Sequence, residues 1–199
     1  MAVNCNLAPF INHDFMVTGA WGEPRSGHIH AGIDLATVGS GGVAQPVYSM
    51  SQGVVIFVDP DGHTGSGYGP YVIVRNSTNN DLWLYGDLGQ NPVVSVGDVI
   101  QQGAQIGVEG NPASTSSTGL HVHLEKENQA DGVFKYGYAN SIDPTAGTGI
   151  TNATDGTIYI YNGTPIPPTP PTPIWDRKPK KNFPWAVYLR KFRNRRGNL

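Results

Sequence analysis

A chain of 199 residues with 26 glycines, 16 prolines and 14% charged side chains can hold one ordinary domain plus an appendage, and it is too rich in turn formers for long helices. The single cysteine, Cys5, excludes an intrachain disulfide framework and reads as a structural or incidental thiol. The net charge of −2 hides a division, because residues 1–174 carry four Lys or Arg against 14 acids and residues 175–199 carry nine against one, so the acidic body offers no groove for specific nucleic-acid binding.

The N-terminal stretch from Met1 to Phe10 lacks the basic start and long apolar run of a secretory signal, so export by the general route is not expected. No stretch reaches the roughly 20 apolar residues that cross a bilayer, and no transmembrane segment is expected. Alternating apolar segments follow at Gly53 to Val58, Tyr71 to Arg75, Leu82 to Tyr85, Val99 to Ile106 and Leu120 to Leu124. Turn signals separate them at Asp59-Pro60-Asp61-Gly62, Asn79-Asn80-Asp81 and Val96-Gly97-Asp98. This pattern predicts an all-β, compact, antiparallel sheet or barrel-like domain over residues 1–161, with no helix before residue 175. The proline-rich run Pro165 to Pro173 marks residues 162–174 as a stiff linker. In the tail, residues 175–199, Trp185, Leu189 and Phe192 fall on one face of a short basic helix, a docking segment for a partner protein or an anionic surface.

The most informative motif is His121-Val122-His123, taken with His30 and Asp34 about ninety residues upstream. In an extended strand residues i and i+2 share a face, so the two imidazoles point the same way. Imidazoles and a carboxylate are a common zinc ligand set; two histidines on a strand face can equally be polar outward positions.

Two longer segments carry more information: Gly27-His28-Ile29-His30-Ala31-Gly32-Ile33-Asp34-Leu35 and Gly119-Leu120-His121-Val122-His123-Leu124-Glu125. With Pro46 to Val55, Gly67 to Val74 and Val96 to Gly103 between them, in the same order and spacing, they resemble the lysostaphin/LytM family of zinc endopeptidases over roughly residues 15–127. The resemblance implies the duplicated β architecture of that family and a Zn2+ ion held by His30, Asp34 and His123, with a fourth position open. It places His121 beside the metal as base or transition-state stabiliser, and it implies bacterial peptidoglycan as the substrate.

One position departs from the family pattern. Where members carry a second catalytic histidine in a Tyr-x-His segment, this chain has Tyr85-Gly86-Asp87-Leu88. A carboxylate can act as a base, but it offers no N–H to a developing oxyanion, and loss of one such donor costs on the order of 10²–10³ in rate. Asp87 is therefore the candidate base or an inert replacement. Glu125 is expected to support the site through a ligand, and Tyr68 and Tyr71 to line a groove or pack in the core. Arg25 is a candidate for a structural ion pair. His13, His28 and His63 read as surface histidines.

Three rivals remain. The stretch from Val96 to Gly107 resembles the hammerhead of biotinyl and lipoyl carriers, but such domains need a lysine on an exposed turn for the cofactor, and no lysine precedes Lys126. Phosphocarrier domains use histidines on a related architecture, but paired His-x-His with an upstream His-x-x-x-Asp suits a metal better. The third keeps the fold and abandons the chemistry, as a structural or wall-binding module. The loop from Asp59 starts like an EF-hand but has Pro70 where a bidentate Glu is needed, so calcium is not expected. The expected function is zinc-dependent peptidoglycan hydrolysis by a component of a bacteriophage virion, placed at the tail tip and joined to tail proteins by its C-terminal segment. A cytoplasmic endolysin is the other route to the wall.

Overall fold

The computed structural model describes residues 2–62, 67–89, 91–111, 119–129 and 131–161. The predicted linker and basic tail lie outside the described residues, as does His63. Fourteen strands follow one another: β1 (Val3–Cys5), β2 (Phe15–Gly19), β3 (Pro24–Arg25), β4 (His28–Ile29), β5 (Ile33–Thr37), β6 (Pro46–Tyr48), β7 (Gly53–Asp59), β8 (Tyr71–Asn76), β9 (Leu82–Gly86), β10 (Val99–Ile100), β11 (Gln105–Val108), β12 (Val122–Glu127), β13 (Ser141–Ile142) and β14 (Ile158–Tyr161). Among the described residues there is no helix, as the composition predicts.

The main sheet runs β1-β14-β2-β5-β12-β9-β8-β7-β10, with β13 added to β12; β6 pairs with β11 and β3 with β4 in two small sheets. Among the described residues every pairing is antiparallel except β1 with β14, where the two ends of the body lie side by side. Strand β14 was not legible in the alternation pattern, and its insertion between β1 and β2 puts residues 158–161 inside the sheet. The segment Val99 to Ile106, predicted as one strand, is two, because Gly103 takes a left-handed φ of 78° and turns the chain between β10 and β11. The predicted Asn79-Asn80-Asp81 turn joins β8 to β9, with Asn80 at φ 61° and the Asn76 N–H donating to the Asp81 carbonyl at 2.8 Å.

Alternation along the strands gives the sheet two buried faces. The register aligns Val72, Tyr85, Leu124 and Ile33 across β8, β9, β12 and β5, and all four enter one large cluster that also holds Phe15 and Leu35. One residue along, Ile73, Leu84 and Glu125 align on the opposite face, where Tyr71, Ile73, Leu82, Leu84 and Phe134 form a second cluster. A one-residue slip would exchange the two sets, so burial of both fixes the register. The carboxylate of Glu109 ties β11 to the other side of the body by accepting from the Thr37 N–H (2.9 Å), the Thr37 hydroxyl (2.8 Å) and the Gln45 N–H (3.0 Å).

The second face is unusual in carrying two carboxylates on β12, Glu125 and Glu127, both fully buried. Glu127 accepts from the Lys135 backbone N–H at 2.8 Å through Oε2, while Oε1 has no hydrogen-bond partner among the described residues. Burial pushes its carboxyl up to about 7 against an ordinary 4.5; the Lys135 N–H opposes the shift and the neighbouring Glu125 adds to it. A carboxyl whose folded value is raised contributes stability that is full below about pH 4.5 and is lost as pH rises through about 7. Glu127→Gln, measured by thermal unfolding of the metal-free protein, is therefore expected to stabilise the fold at pH 8 by roughly 1–2 kcal/mol and to change little at pH 4. An equal shift at both pH values would contradict this account.

Candidate metal centre and active site

Three strands bring the site together by register. On β12, His123 lies directly opposite Asp34 of β5 on one side and Gly86 of β9 on the other. Opposed residues on one face have Cβ atoms about 4.5–5.5 Å apart, close enough for two side chains to share one ligand. Asp34 points away from Ile33 and Leu35, which face the large core, and so joins the same face as His123. His30 comes from the end of the β3–β4 hairpin, held by a bond from its N–H to the Glu23 carbonyl (3.0 Å) and by the Gly22 N–H donating to its own carbonyl (2.9 Å).

The three donor atoms converge. His30 Nε2 is 3.1 Å from His123 Nδ1 and 3.3 Å from Asp34 Oδ1, and His123 Nδ1 is 3.0 Å from Asp34 Oδ1. All three residues are buried. His30 Nδ1 donates to the Ala20 carbonyl at 2.8 Å, which fixes its tautomer and leaves the Nε2 lone pair facing the cluster. The second Asp34 oxygen, Oδ2, accepts from Arg25 Nη2 at 2.5 Å, so Asp34 presents a single oxygen inward. Arg25, expected only as a structural ion-pair residue, thus anchors the carboxylate, and it also bonds Glu23 Oε1 at 3.0 Å.

This donor set fits zinc. Tetrahedral bonds of about 2.0–2.1 Å separate ligand atoms by roughly 3.3 Å, which the three observed spacings approach, and two imidazoles with one carboxylate are a familiar set that leaves one position open. Without a metal the cluster must share a proton instead. Burial disfavours charge on His123, but its bond to Asp34 and the nearby Glu125 carboxylate prevail and raise its pKa to about 10. Burial likewise opposes charge on Asp34, yet the two histidines hold its carboxyl far below the usual carboxylate range.

Close packing explains the glycine in the first motif. A Cβ on Gly32 would lie 2.6 Å from His123 Nε2 and 2.5 Å from the Leu124 carbonyl oxygen, so only glycine lets β5 approach the imidazole. A second glycine serves the other half of the site. Gly110 bridges to His121, its neighbour Glu109 bridges to Leu88, and a Cβ on Gly110 would collide with the Asp87–Leu88 backbone.

That bridge holds Asp87 and His121 face to face. His121 Nε2 lies 3.1 Å from Asp87 Oδ2, and His121 Nδ1 lies 3.0 Å from the Gly119 carbonyl. Both ring nitrogens face acceptors, which favours the protonated imidazole. Burial works against the charge on His121, but the bonds to Asp87 and to the Gly119 carbonyl outweigh it and raise its pKa. Asp87 itself sits at φ 52°, a left-handed conformation that Asp tolerates better than most residues, and its N–H donates to the Tyr68 carbonyl at 2.7 Å.

The remaining expected residues divide. The Tyr68 hydroxyl donates to Glu125 Oε2 at 2.6 Å, its ring packs on the His123 ring with centroids 5.2 Å apart, and Glu125 Oε2 is 3.7 Å from His123 Nε2. Tyr71 lies within the second core cluster, its hydroxyl paired with that of Tyr136 at 2.9 Å. His28 is exposed, with its ring near the Ser26 carbonyl, and His13 is half-buried, away from the site described above. Cys5 is a buried thiol that burial pushes up to about 11, an inert group far from ionising. Sequence reasoning missed Ala20, whose contribution is a backbone carbonyl, and Gly110, whose role depends on two long-range bridges.

Comparison with known proteins bears on the family and the fold. Residues 28–133 match the model of "Peptidase family M23", which spans both histidine motifs. No curated protein matches the chain significantly. Among solved structures, the catalytic domain of the antimicrobial peptidase lysostaphin from Staphylococcus simulans aligns with a TM-score of 0.52 at 20% identity, covering 66% of this chain and 90% of its own. A point-mutant catalytic domain of the prophage-encoded M23 protein EnpA from Enterococcus faecalis gives 0.52 at 25% identity, covering 69% and 95%. SpoIIQ, solved in complex with SpoIIIAH, gives 0.55 at 21% identity, covering 71% and 99%. The chain belongs to peptidase family M23.

Proposed function

We propose that the protein is a zinc-dependent endopeptidase that hydrolyses peptide bonds of bacterial peptidoglycan. The observation that carries this reading is the convergence of His30 Nε2, Asp34 Oδ1 and His123 Nδ1 within 3.0–3.3 Å of one another, next to a separate Asp87–His121 pair. Zinc bound there would polarise the scissile carbonyl and lower the pKa of a water toward about 7. Arg25 and the Ala20 carbonyl keep Asp34 and His30 in their binding orientations. His121 Nε2–H, which here faces Asp87 Oδ2, would turn to the oxygen that gains charge as the carbonyl is attacked, once Asp87 has taken up the proton of the attacking water. Asp87 is the group able to take a proton from the attacking water and pass it to the leaving amine. Family membership supports peptidoglycan as the substrate, and lysostaphin, whose fold this chain shares, is an antimicrobial peptidase.

A second reading rests on Asp87 standing where the family pattern has histidine: the site holds zinc but hydrolyses poorly, and the domain acts as a wall-binding component. Both readings accommodate a place on a bacteriophage tail tip, supported by the proline-rich segment and the nine Lys or Arg beyond residue 174, which would join the chain to tail proteins. Mass spectrometry of purified particles that found no copy of this chain would remove the virion assignment in favour of a cytoplasmic endolysin.

Two measurements separate peptidase from structural module. Full-length protein incubated with walls of its host is expected to release new amino termini, to lose that activity on chelation and to regain it with Zn2+; stoichiometric zinc without release would favour the structural module. Asp87→Ala is expected to lower the rate by about 10²–10⁴, the usual worth of a general base. An unchanged rate would remove Asp87 from the mechanism.

A further inference from the structure

The outer edge of His123, turned away from the three-atom cluster, meets a buried carboxylate that ordinary packing does not explain. Glu125 is completely buried on β12, and its Oε1 has no hydrogen-bond partner among the described residues. His123 Nε2 is likewise buried without a hydrogen-bond partner, and it stands 3.7 Å from Glu125 Oε2. A buried charge with an open valence is expensive, and on a face shared with Leu84 and Ile73 an apolar side chain would pack at lower cost. The placement makes sense if the carboxylate serves the imidazole. A ligating histidine that gives its other N–H to a carboxylate is fixed in tautomer and orientation and becomes a stronger donor to the metal.

Tyr68 completes the arrangement from β8's side of the site. Its hydroxyl donates to Glu125 Oε2 at 2.6 Å, its ring packs on His123, and its backbone carbonyl accepts the Asp87 N–H at 2.7 Å. The hydroxyl is the group that restrains the Glu125 carboxylate beside His123. Burial first, and then the adjacent Glu125 charge, push the Tyr68 phenol far above its usual range, so it stays a donor at every working pH.

We propose that Tyr68 and Glu125 tune zinc affinity together: the Tyr68 hydroxyl bonds the Glu125 carboxylate, which faces Nε2 of His123 across 3.7 Å, so that Tyr68 acts through Glu125 in a relay. Both are positioning residues. The inference rests on the metal reading above and adds residues outside the ligand set, one of them from a separate loop.

The test is zinc binding by the full-length protein, read by competition with a chromogenic chelator, for the unaltered chain, Glu125→Gln, Tyr68→Phe and the double variant. Glu125→Gln preserves shape and is expected to weaken zinc binding by about 10–100-fold. Tyr68→Phe should weaken it by a smaller factor, on the order of 3–10-fold, and should add nothing once Glu125 is Gln, because coupled residues are not additive. Unchanged affinity in Glu125→Gln overturns the relay, and so does a Tyr68→Phe loss that persists at full size in the Glu125→Gln background. If Glu125→Gln does not fold, Tyr68→Phe decides alone: a loss of affinity supports the relay and unchanged affinity overturns it. A merely structural role would lower the metal-free melting temperature and leave zinc affinity in place, which also overturns it. If the unaltered chain binds no zinc, the metal reading fails and the relay falls with it; if it binds zinc and the variants match it, only the relay fails.

Discussion

The Asp34 carboxylate, shared between one guanidinium and two imidazoles, is the interaction on which the rest of the site depends. Its outer oxygen is held by Arg25 and its inner oxygen lies within 3.3 Å of nitrogen atoms from His30 and His123. The three partners come from the β3–β4 hairpin and from β12, elements that are far apart in sequence. Buried charge of this density is tolerated only when paired, and here the pairing is so complete that Asp34 stays ionised well below the pH at which free carboxylates take a proton. A divalent cation would replace the shared proton at the place where the three donor atoms already meet.

The sheet supplies that arrangement through register rather than through loops. His123 is flanked by Asp34 on β5 and by Gly86 on β9, so the Asp34–His123 pair and the chain leading to Asp87 are set by the same ladder that buries Ile33, Leu124 and Tyr85 on the other face. Large-face packing therefore positions small-face chemistry. Sites built on strands hold their geometry more tightly than sites on loops, at the cost of burying carboxylates such as Glu125 and Glu127 beside aromatic and aliphatic side chains. Two glycines make the approach possible, Gly32 under the His123 ring and Gly110 against the Asp87–Leu88 backbone.

Much of this was written in local patterns. The alternation of Val122 and Leu124 with His121, His123 and Glu125 announced a two-faced strand, and the family resemblance of the segment holding His30 and Asp34 pointed to the other candidate ligands. The all-β body and the hairpin at Asn79-Asn80-Asp81 followed from turn chemistry. Contributions that depend on distant backbone were not legible: the Ala20 carbonyl on His30, the Gly110 bridge to His121 and the parallel pairing of β1 with β14 have no local signature. Arg25 was visible as a charge but its partner was not, because nothing in Gly22-Glu23-Pro24-Arg25 says that the hairpin folds back on Asp34. Asp87 was conspicuous only against the family pattern, and its pairing with His121 required the fold to bring β9 and the start of β12 together.

The central claim is that Asp34, His30 and His123 are ligands of one metal ion rather than a proton-sharing cluster. The most direct measurement is elemental analysis of the full-length protein after zinc loading and desalting, compared with Asp34→Ala and His123→Ala variants shown to be folded. The account predicts about one zinc per unaltered chain and a large loss in each variant, since three protein ligands are the usual minimum for a retained catalytic zinc. Absence of zinc from the unaltered chain, or full retention in either variant, would contradict it.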